Sequence, residues 1–312
     1  MTLRSAAVPA VFACFLSLSA ACAGEERAPE SPAITTKLNA YVGCVNRLSE
    51  RAYQSHARYF SWVKEKGPTG KERIIYGTYT IYDTSDCKDA VAKANASEPH
   101  DAALEASASS YVDSVVALEA VLKEADDYYS QENYKDDKMA KGKALHPRLV
   151  AAWTAFAAAD TSLREGVEAI QDKASAEELI ALEKQEGRKD RYHVQSIMMS
   201  AKRLTRLQSA KKPDLAKVTE ALTAYDESTK AAESYAGSNK DSRIGSGFIS
   251  NAKSFLVTAK QLMRRMRDKV PYSSGDKMIL DSAGAWMVEG SPPRLLRDYN
   301  ELVESYNRGA SF

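Results

Sequence analysis

Histidine, cysteine and clustered acids are the residue types in this chain that could do chemistry, and their spacing limits what that chemistry is. His56, His100, His146 and His193 are far apart in sequence, with no HExxH and no Cys or His pair at metal-ligand spacing. No metal or other cofactor is therefore expected. GxSxG, the phosphate loop and GxGxxG are all missing, so hydrolase, kinase and dinucleotide-binding readings lack a motif. The densest polar feature is the run DDYYSQENYKDD from Asp126 to Asp137, followed by Lys138, Lys141 and Lys143. Its acids do not follow the D-x-D-x-D-G spacing of a calcium loop, and the lysines suggest a self-neutralised, solvated segment. Asp126, Asp127, Tyr128, Tyr129, Tyr134, Asp136 and Asp137, with His146, are still the candidate binding surface of the chain.

The four cysteines divide between a leader and a body. Residues 1–23 carry one charge, Arg4, then an apolar run from Ala6 to about Leu18 and a set of small residues. That is the layout of a secretory signal peptide, and the run is shorter than the roughly 18 to 20 residues of a membrane-spanning helix. Two cleavages compete. Leu18-Ser19-Ala20-Ala21-Cys22 looks like a lipobox, with Leu18 four rather than three residues before the cysteine that would be acylated. Ala21-Cys22-Ala23 also reads as an ordinary A-x-A site releasing a soluble chain at Gly24. If Cys22 is lipidated, its neighbour Ala23 is not the Asp that retains lipoproteins in the inner membrane, which points to the outer membrane. Residues 24–32, GEERAPESP, then form a polar tether. In an exported chain, Cys44 and Cys87 read as one disulfide closing a loop worth roughly 4 kcal/mol of unfolded-state entropy, the alternative being two buried free thiols.

These residues must be positioned by helices. Among 312 residues, 44% are hydrophobic and 27% charged, enough for a sizeable core. Steps of three and four residues trace apolar seams from Ile34 to Trp62, Leu104 to Tyr129, Leu149 to Ile170, Val194 to Leu204, Leu215 to Ala232, Phe248 to Met266 and Leu295 to Tyr306. Only Ser55 breaks the first seam. Asp160 is the one acid on a seam and reads as facing water or pairing with an Arg of a neighbouring helix rather than binding a ligand. Ser175 with Glu178 has the spacing of a capping box, and Ser291-Pro292 reads as an N-cap followed by the first helical position. The seams predict an all-α fold, an elongated antiparallel bundle of about six to eight helices filling 33–312 as one domain. Ile74 to Tyr82, IIYGTYTIY, has strand-like composition but no evident partner except around Met278 to Leu280, and is taken as a loop or irregular helix. Within Glu183–Arg191, either the helix projects past the bundle or Gly187 marks a turn.

Several short motifs in order resemble the YiiG-like lipoproteins, a bacterial family of unknown function. They are Leu38-Asn39-Ala40-Tyr41 with Cys44-Val45-Asn46, then Tyr128-Tyr129, Tyr134-Lys135-Asp136-Asp137 and Gly142-Lys143-Ala144-Leu145-His146, and finally Tyr299-Asn300-Glu301-Leu302-Val303 with Tyr306-Asn307. The resemblance spans residues 33 to 308 and implies a helical, envelope-located protein, usually with a lipobox. It implies no functional residue, because the family has no established activity.

Charge narrows the partners. Lys and Arg number 43 against 42 acids, and loss of the leader with Arg4 leaves a formally neutral body with no pull toward nucleic acid. The basic clusters Lys202, Arg203, Arg206, Lys211, Lys212 and Arg264, Arg265, Arg267, Lys269 read as solvated helix faces. The expectation is a non-catalytic, lipid-anchored envelope protein that binds or scaffolds an envelope protein or cell-wall component. The alternatives are a soluble periplasmic or secreted protein that binds a small ligand or metal near Asp126 to His146, and a cell-wall hydrolase.

Overall fold

A computed structural model describes residues 32–210 and 212–309. The leader, Cys22 and nearly all of the expected tether lie outside the described residues, as does Lys211. Nine α-helices are present among the described residues: α1 (Pro32–Phe60), α2 (Thr84–Asn95), α3 (Ala102–Ser130), α4 (Ala140–Glu186), α5 (Asp190–Ser209), α6 (Leu215–Ser238), α7 (Ser246–Arg267), α8 (Ser274–Leu280) and α9 (Pro292–Gly309). No strand occurs among them. The two helices without a seam of their own, α2 and α8, are the short ones. The chain divides into two compact units at Gln171/Asp172, each with its own apolar core.

In the first unit, side-chain pairs give the helix directions. Along α1, Tyr41, Cys44 and Arg47 meet Asn95, Cys87 and Asp86 of α2 in descending order. Lys37 and Ser49 meet Glu105 and Tyr111 of α3 in ascending order, while Tyr53 and Tyr59 meet Asp160 and His146 of α4 in descending order. The arrangement is up, down, up, down. Helix α2 is too short to complete the second element, and the extended segment before it supplies the rest.

That segment is the IIYGTYTIY stretch. It runs antiparallel to α1 as an extended chain whose backbone is bonded by α1 side chains instead of a second strand. Arg58 Nε donates to the Tyr76 carbonyl at 2.8 Å and Trp62 Nε1, just beyond α1, donates to the Gly77 carbonyl at 3.0 Å. Ser55 Oγ donates to the Tyr79 carbonyl at 2.7 Å and accepts from the Tyr79 N–H at 3.1 Å, and Arg51 Nε donates to the Thr80 carbonyl at 3.1 Å. The lone polar break in the first seam is therefore the residue that serves both ladder groups of Tyr79. The stretch considered as its strand partner, Met278 to Leu280, ends helix α8.

The second unit repeats the pattern. The end of α4 pairs with α5 through Asp172–Arg206 and Glu178–Gln195. Helices α5 and α6 pair through Arg203–Glu220 and Ser196–Ser228, α6 and α7 through Asp226–Lys260 and Glu233–Lys253, and α7 and α9 through Thr258–Asp298 and Asn251–Glu301. All run antiparallel. Gly187, at φ +77°, ends α4 and lets the chain reverse, so the polar run there is a turn and not a projecting helix. Ser175 lies inside α4 and caps nothing. The capping box is at Ser273 and Asp276 of α8. Ser291 caps α9, its Oγ accepting from the Arg294 N–H at 3.3 Å.

Two buried polar positions depart from expectation. Asp160 neither faces water nor pairs with an Arg of another helix. It is 3% exposed, accepts from Ser49 Oγ at 2.6 Å and Tyr53 Oη at 2.9 Å, and pairs with Arg164 one turn along its own helix at 3.0 Å. Lys37 is fully buried, donating to the Pro99 carbonyl at 2.8 Å and to Glu105.

Candidate functional site

The motif residues Tyr128, Tyr129 and His146 meet at one end of the first unit, where α1 and α3 finish and α4 begins. Tyr59 sits at the centre. Its ring lies 5.5 Å from Trp62, 5.4 Å from Trp153 and 5.9 Å from His146, and Trp62 in turn packs edge-on to Tyr129 at 5.2 Å. Aromatic edge-to-face contacts of this kind add specificity to area burial.

The loop after α1 closes over the cluster. Gly67, at φ +94°, lies flat on the imidazole, where a Cβ would come within 3.0 Å of His146 Cδ2, and Gly77, at φ +66°, faces Tyr129 in the same way. Only glycine provides that close approach together with a positive φ. Glu72 holds the loop's turn by accepting from the Thr69 N–H at 2.5 Å and the Gly70 N–H at 2.8 Å. Desolvation raises its carboxyl, but the bonds from Thr69 and Gly70 together outweigh it and leave the carboxyl below the usual range.

Hydrogen bonding decides what these groups can do. His146 Nδ1 is hydrogen-bonded to Tyr59 Oη at 3.1 Å, and its Nε2–H donates to the Glu65 carbonyl at 3.2 Å. Both ring nitrogens are thereby engaged. Burial pushes the Tyr59 hydroxyl to about 12, and burial followed by the Asp137 carboxylate pushes Tyr128 to about 12. Both stay protonated at neutral pH. The Tyr129 hydroxyl is raised by burial and then by the neighbouring Tyr59, and it makes no bond of hydrogen-bond geometry. The Asp137 side chain caps the start of α4, accepting from Lys141 N–H at 2.8 Å, Ala140 N–H at 3.2 Å and Tyr128 Oη at 2.7 Å. The backbone bond from Lys141, ahead of the others, holds its carboxyl below the usual range.

The eight candidate residues thus separate. Tyr128, Tyr129, Asp137 and His146 belong to the packed end of the bundle. Tyr134 is half-buried, its ring 6.5 Å from Tyr129. Asp126 is half-buried, and Asp127 and Asp136 are exposed. Among the described residues, no three His, Cys, Asp or Glu side chains come together to hold a metal ion. Tyr59, Trp62, Glu65 and Glu72 complete the cluster and were not singled out as site residues in the sequence. Tyr59 and Trp62 belong to the first seam, but nothing in the sequence shows that the loop after α1 folds onto His146. The covering segment leaves Ile74, Tyr76 and Tyr82 on the outside, at 51%, 47% and 66% exposure.

Cys44 of α1 and Cys87 of α2 form a buried disulfide, with Cα atoms 5.3 Å apart. No described helix is long and apolar enough to cross a membrane.

Comparison with known proteins agrees with the motifs. No solved structure matches the chain. It is 38% identical over 300 residues to the protein called "Uncharacterized protein YiiG" from Escherichia coli strain K12, an alignment covering 90% of this chain and 83% of the relative. The family described as "Protein of unknown function (DUF3829)" matches residues 33–308, and the chain belongs to that family.

Proposed function

We propose that this chain is an exported, lipid-anchored protein of the bacterial cell envelope, and that it works by binding or scaffolding an envelope protein or cell-wall component, without catalysis. The observation that carries the proposal is the Cys44–Cys87 disulfide. A bond of that kind between two buried cysteines is kept in an oxidising compartment, and the leader ending at Cys22 is the route there. Acylated Cys22 followed by Ala23 would place the body on the outer membrane, facing the periplasm.

The binding rather than catalytic role is supported by how the reactive side chains are used. His146 has both nitrogens engaged, Asp137 caps a helix, and Asp160 receives three donors in the core. A general base needs an acceptor directed at a bound substrate, whereas these three are bound up in the packing and capping of the helices.

The test is the mass of the mature protein, purified separately from membrane and soluble fractions. A diacylglyceryl-modified N-terminus at Cys22 in the membrane fraction is expected. An unmodified chain starting near Gly24 in the soluble fraction would overturn the anchor.

A further inference from the structure

Arg51 and Arg58 stand about two helical turns apart on α1 and reach the covering segment. Arg51 Nε donates to the Thr80 carbonyl at 3.1 Å. Arg58 Nε donates to the Tyr76 carbonyl at 2.8 Å, and its Nη1 donates to Tyr79 Oη at 3.0 Å. Both guanidiniums also meet the Tyr79 ring, whose centre lies 4.0 Å from Arg51 Cζ and 4.5 Å from Arg58 Cζ. These contacts fix the two cations without engaging all their donors. Both Nη groups of Arg51 and Nη2 of Arg58 have no hydrogen-bond partner among the described residues, and none of these nitrogens is buried.

No carboxylate neutralises the pair. Neither arginine forms an ion pair among the described residues, and the acids nearest in the chain are engaged elsewhere. Asp83 and Asp86 are held by Arg47 at 3.5 and 2.9 Å, and Glu50 accepts from Gln54 at 2.8 Å. The contacts with Tyr79 put the two guanidinium carbons no more than about 8.5 Å apart. Two guanidiniums that share one phosphate through N–H···O bonds of about 2.8 Å stand roughly 8 Å apart or less. A carboxylate or a phosphodiester balances only one of the two charges. A phosphomonoester carries about −1.5 to −2 at neutral pH with three free acceptor oxygens, and its geometry suits the arginine fork. Beside the pair, the Tyr76 ring lies 5.8 Å from Arg58 Cζ and is 47% exposed, a surface on which the esterified group can rest.

We infer that Arg51 and Arg58 bind a phosphomonoester, the dianion carried by a sugar phosphate or by a phosphatidate-type lipid headgroup, with the phosphate held by both guanidiniums and the esterified group against Tyr76. The site is set by the two anchored cations and does not depend on how the protein is attached to a membrane.

Titration calorimetry on the whole mature protein tests it with three soluble probes: glucose 1-phosphate, dihexanoyl phosphatidate and dihexanoyl phosphatidylglycerol. The last has the same acyl chains as the second but a monoanionic diester. Phosphatidate is expected to bind at least about tenfold more tightly than phosphatidylglycerol, the scale of one further charge pair at a partly exposed site. Arg51→Gln and Arg58→Gln should each remove most of that preference, Arg51→Lys should keep part of it, and Lys217→Gln, an exposed change in the second unit, should keep all of it. The preference itself is read on the unaltered chain, so it decides the matter even where a variant unfolds. Phosphatidate binding tighter than glucose 1-phosphate upholds the site with a lipid headgroup as its source, and the reverse order upholds it with a sugar phosphate. Equal binding of phosphatidate and phosphatidylglycerol overturns the inference. So does an undiminished preference in both glutamine variants, or failure of both monoesters to bind in the millimolar range.

Discussion

Replacing Asp160 by leucine tests whether the acid in the third seam holds the first unit together. The carboxylate is 3% exposed and receives Ser49 Oγ at 2.6 Å, Tyr53 Oη at 2.9 Å and Arg164 Nε at 3.0 Å. Removing one member of a buried ion pair costs about 3 to 5 kcal/mol, because the other charge stays behind in a poor solvent. The figure belongs at the lower end here. Tyr53 is 40% exposed and can turn to water, while Ser49 keeps the Tyr111 hydroxyl at 2.9 Å. The expected loss is therefore about 3 kcal/mol. Adding Arg164→Met to Asp160→Leu removes the other member of the pair as well and should restore about 1 to 2 kcal/mol of it, a non-additivity expected for direct partners. Urea unfolding followed by tryptophan fluorescence, in a chain with Trp286 of the second unit replaced by phenylalanine, reports on this unit, since Trp153 lies in its core and Trp62 packs against it. The midpoint should fall with the slope unchanged. A single-mutant loss below about 1 kcal/mol, or a double mutant equal to the sum of the singles, would refute the role assigned to Asp160.

Three further perturbations test other joints. Ser55→Ala removes both hydrogen bonds to Tyr79 and should lower the local stability of residues 76–81 by about 2 kcal/mol, read as faster hydrogen exchange at the Tyr79 amide with the α3 core still protected. Cys44→Ser with Cys87→Ser opens a link between positions 43 apart and should cost about 4 kcal/mol, whereas a shift under about 1 kcal/mol in the same urea experiment would show that the bond does little. Glu105 is held at about 2, chiefly by its hydrogen bond from Lys37 and then by that from His100, against an ordinary 4.5. Its folded-state pKa is depressed, so its contribution is complete above about 4.5 and disappears as pH falls toward about 2. Glu105→Gln should flatten the acid side of the stability profile within that window, and an unchanged slope would contradict the assignment.

The helices were legible because each seam repeats every three and four residues over several turns, and that period survives in one sequence. Ser291, Pro292 and Gly187 marked helix ends for local reasons. The rest depended on distant partners. Ser55 and Asp160 stood out as anomalies in the sequence, but their partners are 24 and up to 111 positions away, and nothing local names them. Lys37 gave no signal, since a lysine beside a seam reads as a solvated side chain. The extended segment was ambiguous because its β-branched residues suit any extended backbone, including one bonded by helix side chains. The candidate surface reads as a solvated segment because acids and lysines crowd around its tyrosines in the sequence. Helix periodicity instead turns Tyr128 and Tyr129 inward and leaves Asp127 outside.

The polar exceptions also explain why seven similar seams pack in one way. Apolar seams are nearly interchangeable, and a helix slipped by a heptad along its neighbour keeps most of its hydrophobic contacts. The buried polar atoms do not permit the slip. Moving α4 along α1 would carry Asp160 away from Ser49 and Tyr53. Moving α3 would separate Glu105 from Lys37, and moving α7 would take the Ala259 carbonyl from Gln208 and the Thr258 hydroxyl from Asp298. Each slip strands a charge or donor in the core at a cost of about 1 to 3 kcal/mol or more, comparable with a sizeable part of a domain's net stability of roughly 5 to 15 kcal/mol. The apolar residues therefore drive the helices together, and Lys37, Ser49, Asp160, Gln208 and Asp298 choose the register. Gln208 does so incompletely, its buried Oε1 having no donor among the described residues.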